Sequence, residues 1–199
     1  HMVLAMQLDT ANEPLREVAR RVGVEVWEST LPLLQSGAED VLGRTKEAAD
    51  YFHANSIIRV TPDCPAMHRD LIHRACIQYY INRNGCHYVS NCWQRGFPRG
   101  MEVEVISYAA LEQAELETKP NGAKASEYDR EHVTPFMRRY PRLFGHADVA
   151  PANSVRNVEG GMRPVSESFS ARLTLDYPED LEVLRNVFTA LQPTADPKT

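Results

Sequence analysis

The sequence predicts an α/β fold with a mainly parallel sheet and helices on both of its faces. In the first third of the chain, β-rich apolar segments at residues 3–8, 24–27 and 57–61 alternate with helical patterns at 14–22 and 41–52. Strands that alternate with helices in this order form parallel sheets, because each helix crosses back to the start of the next strand. The α/β class follows from this alternation.

The apolar pattern continues this architecture to the end of the chain. The remaining strands are expected over residues 87–90, 101–106 and 169–175. The remaining helices are expected over 71–79 and 107–118, from Pro135 onward, and over 181–191, where Leu181, Leu184, Val187, Phe188 and Leu191 face inward. We predict one domain over residues 3–192, followed by a polar tail at 193–199.

Composition and charge limit the classes of function. The chain has 199 residues, of which 43% are hydrophobic and 25% charged, so it is long enough to bury a core. A net charge of −5 argues against binding a nucleic acid polymer through bulk charge. No apolar run has the length that spans a bilayer, and the first residues lack the pattern of a signal peptide. We therefore expect a cytoplasmic protein with no membrane partner.

Several common chemical sites are excluded or disfavoured by motif. The cysteines, Cys64, Cys76, Cys86 and Cys92, form no C-x-x-C pair, which favours reduced thiols over a disulfide scaffold or a structural zinc site. The chain contains no G-x-G-x-x-G and no G-x-x-x-x-G-K-[ST], which are the usual glycine signatures for dinucleotides and triphosphates. It also lacks the G-x-S-x-G of a serine nucleophile elbow.

Two aspartates are the strongest candidates for chemistry. Asp63 and Asp176 each end an expected strand, and each precedes a proline by two positions. If the two strands are parallel neighbours, both carboxylates reach one edge of the sheet and offer hard oxygen ligands for Mg²⁺. The alternatives are structural: residues 61–65 form an ordinary turn, and Asp176 caps the last helix through a capping box.

Other charged residues are secondary candidates. The guanidinium groups of Arg99 and Arg130 suit carboxylates and phosphates, and His132 can act as a hydrogen-bond donor or a base. Glu104 shares one face of an expected strand with Glu102. For each of these side chains, a solvated surface charge is the competing interpretation.

Taken together, several motifs in register resemble a known family. They include Thr-Pro-Asp-Cys-Pro at 61–65, Arg-Glu-His-Val-Thr-Pro at 130–135 and Leu-Asp-Tyr-Pro-Glu-Asp at 175–180. The full set of matching segments is 39–44, 59–65, 88–91, 97–104, 129–135 and 172–181. They resemble the cytidylyltransferase family typified by the spore coat polysaccharide biosynthesis protein F, which is related to the CMP-Kdo and CMP-sialic acid synthetases.

The resemblance implies a Rossmann-like nucleotidyltransferase fold and a specific reaction. CMP is transferred from CTP to an acidic sugar or similar acceptor, and pyrophosphate is released, in polysaccharide or glycoconjugate biosynthesis. The resemblance implies that Asp63 and Asp176 hold Mg²⁺ and act in catalysis, and that the enzyme is a homodimer. It implies a substrate-binding role for Asn91, Arg99, Glu104, Arg130, Glu131, His132 and Arg172.

The chain departs from this family at its N-terminal side. Family members open with a strand and a loop resembling Gln-Ala-Arg-x-Gly-Ser-x-Arg-Leu-Pro-Gly-Lys that holds the triphosphate, whereas no Lys or Arg precedes Arg16 here. Three explanations are open: a truncated sequence, a degenerate relative that binds a ligand or partner without catalysis, or a second chain that supplies the segment. We expect the fold to lack its usual first strand, and residues 3–8 to pair directly with residues 57–61.

Overall fold

The computed structural model describes residues 1–93, 96–122, 124, 126–149 and 171–191, and the backbone of two short strands at 155–156 and 162–163. The strands are β1 (Val3–Gln7), β2 (Glu25–Ser29), β3 (Ser56–Arg59), β4 (Tyr88–Ser90), β5 (Glu104–Ser107), β6 (His146–Asp148), β7 (Val155–Arg156) and β8 (Met162–Arg163). The helices are α1 (Glu13–Val22), α2 (Val41–Tyr51), α3 (Arg69–Asn82), α4 (Tyr108–Thr118), α5 (Glu127–His132), α6 (Pro135–Arg139), α7 (Pro141–Phe144) and α8 (Pro178–Leu191). None of the helices within these ranges is long and apolar enough to cross a membrane.

The α/β class predicted from the sequence is confirmed. Strands β1 and β2 form a parallel pair with Val3 opposite Glu25 and Gln7 opposite Ser29. Strands β3, β5, β4 and β6 form a four-stranded sheet in that order, and β7 pairs antiparallel with β8. In this order β5 lies between β3 and β4, so β3 and β4 are consecutive in the sequence but are not neighbours in the sheet. Doubly wound sheets also contain such non-sequential strand orders.

The expected pairing of residues 3–8 with residues 57–61 is wrong. In the part of the chain that the structure describes, β1 is hydrogen-bonded to β2, and β3 is hydrogen-bonded to β5. Each of β1 and β3 therefore has one strand neighbour among the described strands. A hydrophobic pattern specifies which residues of a strand face a core, but it does not specify which strand lies alongside, and the prediction failed on that second point.

Local sequence signals explain where the helices begin and end. Asp40 caps α2 by accepting the Gly43 N–H at 2.9 Å, and Ser107 caps α4 by accepting the Ala110 N–H at 3.1 Å. Helix α1 ends at Gly23, whose φ of 73° is left-handed and is adopted by glycine without steric cost. The helix expected from Pro135 onward begins there as predicted, but it ends at Arg139, and Pro141 starts another short helix. The charged run before it forms the separate helix α5.

The structure divides into two compact units. The first consists of residues His1–Ile57, Asn84–Tyr88 and Ile106–His146, and the second of Ile58–Arg83, Val89–Val105 and Ala147–Thr199. The single domain expected over 3–192 stays a prediction, and the tail at 193–199 lies outside the described residues.

The first unit is built around helix α2. This helix packs against β1, β2, α4 and α5, and its buried Leu42 and Ala49 belong to the main apolar core. The other buried members of this core are Tyr88, Ile106, Ala110, Leu111, Ala114, Val133, Phe136, Met137 and Phe144. A core of this kind removes a large apolar area from water and is the main source of stability for the unit.

In the second unit, α8 is less buried than its sequence pattern indicated. Leu184 is buried, with 3% of its surface exposed, but Phe188 is 45% and Leu191 73% exposed. The inward stripe expected for this helix is therefore confirmed at Leu184 and wrong at Leu181 (38% exposed), Phe188 and Leu191, while Val187 is half-buried. Apolar spacing predicts which residues share a face of the helix, while the extent to which that face is buried depends on what packs against it.

A buried ion pair joins α2 to α5 in the first unit. The Arg130 guanidinium donates from Nε to Asp40 Oδ2 at 2.9 Å and from Nη2 to the same oxygen, and Nη1 donates to the Glu115 carbonyl at 3.3 Å. The exposed fractions of the two side chains are 6% and 9%. Because Asp40 also caps α2, one carboxylate fixes both the start of α2 and its contact with α5.

We predict that Asp40→Asn strongly destabilises the protein. The amide still caps α2, but the buried guanidinium loses its nearest counter-charge and keeps the more distant Glu115 carboxylate, whose Oε1 lies 3.6 Å from Nη2. Breaking a buried pair in this way costs about 3 kcal/mol. The matched control is Asp50→Asn on the same helix, which removes an exposed pair with Lys46 (2.7 Å) and costs less than about 1 kcal/mol. Urea unfolding followed by circular dichroism measures both changes, and equal losses for the two variants would contradict the assigned role.

Candidate functional site

The extended segment 171–175 brings distant parts of the second unit together. Arg172 forms a parallel bridge with Arg99, and this pairing consists of the Arg99 N–H to Ala171 C=O bond at 3.2 Å and the Leu173 N–H to Arg99 C=O bond at 2.6 Å. Further along, the Leu175 N–H donates to the Asp63 C=O at 2.8 Å. The backbone of Asp63 therefore lies beside that of Leu175, one residue before Asp176. The shared carboxylate site expected from the sequence stays a prediction.

Gly100 allows this close approach. Its φ is +94°, and a Cβ at this position would lie 2.4 Å from the Leu173 carbonyl carbon and 2.7 Å from the Thr174 nitrogen. These contacts are with backbone atoms, which cannot rotate away as a side chain can. Only glycine therefore allows segment 171–175 to lie against residue 100.

We predict that Gly100→Ala disrupts the pairing of segment 171–175. The left-handed conformation alone costs an alanine about 1–2 kcal/mol, and the backbone clash adds to it. Gly37→Ala is the matched control, because Gly37 also has a positive φ, +85°, but no atom lies within 4 Å of the point that an alanine methyl would occupy there. Hydrogen exchange at the Leu173 and Leu175 amides should accelerate in Gly100→Ala only, and unchanged protection there would count against the assignment.

Asp63 is half-buried beside a buried thiol and a second carboxylate. Cys64 Sγ lies 3.6 Å from Asp63 Oδ1 and 3.8 Å from Glu102 Oε2, and it accepts a hydrogen bond from the Thr61 hydroxyl at 3.1 Å. Glu102 Oε2 also accepts the Gly100 N–H at 2.6 Å. Burial raises the pKa of the Cys64 thiol to about 11; the Thr61 hydroxyl opposes this change, and the two carboxylates reinforce it.

We predict slow alkylation of Cys64 in the folded protein. With a pKa of about 11, roughly one thousandth of this thiol is ionised at pH 8, against about one tenth for a thiol with the ordinary pKa of 9.0. Cys64 should thus react with iodoacetamide on the order of 100-fold more slowly in buffer than in urea. Mass spectrometry of the peptide containing Cys64 measures both rates, and the urea sample is the control. Equal rates would show that the thiol is not held in this environment.

Arg172, Asp176 and Asp180 form a second charged group at the start of α8. Asp176 Oδ2 accepts hydrogen bonds from Arg172 Nη1 at 2.6 Å and from the Thr174 hydroxyl at 2.8 Å. Asp180 accepts the N–H groups of Asp176 and Tyr177, both at 2.9 Å, and is paired with Arg172 Nη2. The carboxylate that reaches back to cap the helix is therefore that of Asp180, and the cap proposed for Asp176 is placed wrongly by sequence pattern.

Glu104 and Asn91 make internal contacts in the same unit. Glu104 is 4% exposed, and its Oε2 accepts a hydrogen bond from Arg59 Nη1 at 2.7 Å. The Asn91 carboxamide donates to the Met101 C=O at 2.7 Å and accepts the Val103 N–H at 3.0 Å. Both side chains thereby hold β3, β5 and the segment before β5 in place. A contact of either one with a substrate stays a prediction.

The other three predicted site residues belong to the first unit. Arg130 is buried in its pair with Asp40, which gives it a structural role. Glu131 and His132 are exposed at the end of α5, with the His132 ring 4.4 Å from that of Tyr128. Val133 follows with φ +71° and ψ −56°, and the Thr134 N–H bonds to the His132 C=O at 2.9 Å. This is the rare, strained form of the γ-turn, and backbone strain of this kind clusters at functional sites.

Sequence reasoning predicted Asp63 and Asp176 as a metal site and Arg99 and Arg172 as substrate-binding residues, but it missed the residues that support their segments. Gly100 allows the backbone of segment 171–175 to approach, and Glu102 accepts the Gly100 N–H. Asp180 accepts an N–H of the turn before α8. The spacing of Asp180 from Asp176, four residues at a helix start, was a usable signal for the last of these. Within the described ranges, no cluster of three or more His, Cys, Asp and Glu side chains could hold a metal ion.

Comparisons with known proteins show the fold. No family model matches the chain. The chain is 28% identical over 182 residues to the uncharacterized protein MJ1063 of Methanocaldococcus jannaschii, covering 92% of its own length and 63% of that protein's. The structure is similar to that of a cytidylyltransferase from Leptospira borgpetersenii serovar Hardjo-bovis, with a TM-score of 0.78 and 24% identity over 96% of this chain and 69% of the other. The chain thus has a Rossmann-like fold of the kind found in that nucleotidyltransferase.

Proposed function

We propose that the protein is a cytidylyltransferase that transfers CMP from CTP to an acidic sugar or a similar acceptor, with release of pyrophosphate, in polysaccharide or glycoconjugate biosynthesis. The sequence motifs resemble the spore coat polysaccharide type of this family, and the fold is similar to that of a cytidylyltransferase. Because the chain spans 63% of the length of the curated relative, the activity of the whole protein is part of this proposal.

One observation carries the proposal beyond the fold. The Leu175 N–H to Asp63 C=O hydrogen bond places Asp63 next to the residue before Asp176. These are the two aspartates to which the resemblance assigns Mg²⁺, and they come from segments more than a hundred positions apart in the sequence. Neither local motif requires the two segments to pair, and their pairing supports a common role of the two aspartates in binding Mg²⁺.

The chemistry of these residues suits Mg²⁺. Mg²⁺ prefers carboxylate oxygens, and it commonly binds through one or two carboxylates together with waters and substrate phosphates. Asp176 already faces a cation in this structure, the guanidinium of Arg172. Asp63 and Asp176 would hold the ion, which in its bound form offsets the negative charge of the departing pyrophosphate.

The reaction defines what the protein residues must do. An acceptor oxygen forms a bond to the α-phosphorus of CTP, and the bond from that phosphorus to the bridging oxygen of pyrophosphate breaks in line with it. We propose that the exposed Arg99, next to segment 171–175, attracts anionic substrate groups, with Asn91 and Glu104 supporting that site from within the fold.

Glu131, His132 and Arg130 stay predicted acceptor residues of the first unit. A cytoplasmic homodimer likewise stays a prediction from the sequence.

We predict that Asp63→Asn strongly slows CTP-dependent pyrophosphate release. The protein is incubated with CTP, Mg²⁺ and a panel of acidic sugars, and pyrophosphate is measured with a coupled assay. Because a neutral amide is a much weaker Mg²⁺ ligand than a carboxylate, the rate should fall on the order of 100-fold or more. Asp70→Asn is the matched control, since Asp70 is an exposed acid at the start of α3 in the same unit and should leave the rate unchanged.

Calorimetry distinguishes the possible failures. A folded protein that gives no heat with CTP and Mg²⁺, and no pyrophosphate with any acceptor, would contradict the proposed reaction. Binding of CTP or of a sugar acid without turnover would instead indicate a relative that binds its ligand but has lost catalysis.

A further inference from the structure

Arg172 forms one ion pair that is firmly held, with Asp180, and one that can be replaced, with Asp176. Its Nη2 pairs with Asp180, whose side chain is 16% exposed and also accepts two backbone N–H groups. Its Nη1 pairs with Asp176, whose side chain is 42% exposed and accepts only side-chain donors, Arg172 and Thr174, among the described contacts. The guanidinium also lies 5.2 Å from the centre of the Tyr177 ring, and the Arg172 backbone is paired with Arg99.

The carboxylates of Asp180 and Asp176 therefore differ in how easily each can lose its ion pair with Arg172. Asp180 cannot leave Arg172 without also disturbing the amides that begin α8, because its oxygens serve both. Asp176 can turn away from Arg172 at little cost, since an exposed ion pair contributes about 1 kcal/mol or less. A second cation that binds Asp176 would replace Arg172 there, while the ion pair between Arg172 and Asp180 is kept.

We propose that Arg172 is an internal counter-ion for Asp176, which it holds while no divalent cation is bound and releases when one binds, remaining attached to Asp180. This inference rests on the proposed role of Asp176 in binding Mg²⁺. Arg172 is then a positioning residue that sets the affinity for the cation, in place of the direct substrate contact predicted from the sequence. The arrangement keeps the Asp176 carboxylate oriented and paired without a metal.

The proposal predicts the direction of a change in metal affinity. Arg172→Gln removes the competing charge but keeps a side chain that can donate to Asp180. Mg²⁺ binding without nucleotide, measured by calorimetry, should become roughly five-fold tighter, because the ion no longer displaces or faces a positive charge. Arg172→Lys, which preserves the charge, should bind Mg²⁺ as the unchanged protein does. Asp176→Asn should weaken binding at least ten-fold.

A measurement on the unchanged protein tests the same point without relying on a variant. In a Mg²⁺ titration followed by NMR, the side-chain Nε–H signal of Arg172 should shift with the dissociation constant found by calorimetry. The Nε–H signal of Arg16, which is bonded to Glu28 at 2.6 Å, is the control and should not move.

The outcomes separate this inference from the proposed reaction. Weaker or unchanged Mg²⁺ binding in a folded Arg172→Gln, or an Arg172 signal that is insensitive to Mg²⁺, would overturn the counter-ion role. The absence of Mg²⁺ binding in both the unchanged protein and this variant would overturn it as well. If the Arg172 effects are found but no acceptor yields pyrophosphate, the counter-ion role stands and the proposed reaction fails.

Discussion

The backbone pairing of segment 171–175 is the constraint on which the candidate site depends. Its amides bond to Arg99 and Asp63, so that a stretch near the end of the chain is fixed against two loops that precede it by more than seventy residues. Gly100 makes this possible, because a Cβ there would overlap with the Leu173 carbonyl. These backbone bonds hold Asp63, Arg99 and the segment that leads to Asp176 together.

Charged residues in the matching motifs serve the fold as well as any ligand. Arg130 lies within one of the most recognisable motifs, yet its guanidinium is buried against Asp40, ninety residues earlier in the chain. Glu104 is buried against Arg59 in the same way. A buried charge needs a partner, and these pairs satisfy that need inside each compact unit. A motif therefore identifies residues that matter, and the structure decides how each one acts.

Features set by interactions between residues close in the sequence were predicted accurately, and features set by interactions between distant residues were not. Helices α1, α2 and α4 were located closely because caps, prolines and glycines act over a few residues, as at Asp40 and Gly23. The neighbour of β1 was predicted wrongly, since the order of strands depends on packing throughout a sheet. For the same reason, the sequence identified Asp63 and Asp176 as acids at the ends of extended segments, but not Gly100 or Glu102 as the residues that support them.

The start of α8 shows how neighbouring carboxylates divide two tasks. One carboxylate that accepts backbone amides has little freedom to coordinate a cation as well, since its oxygens must point back into the turn. Asp180 takes the amides of Asp176 and Tyr177, which leaves Asp176 bonded to side chains that can move. The structure thus assigns the cap at the start of α8 to Asp180, four positions after Asp176, and metal binding by Asp176 stays a prediction. That division is what allows Arg172 to remain attached to Asp180 when it releases Asp176.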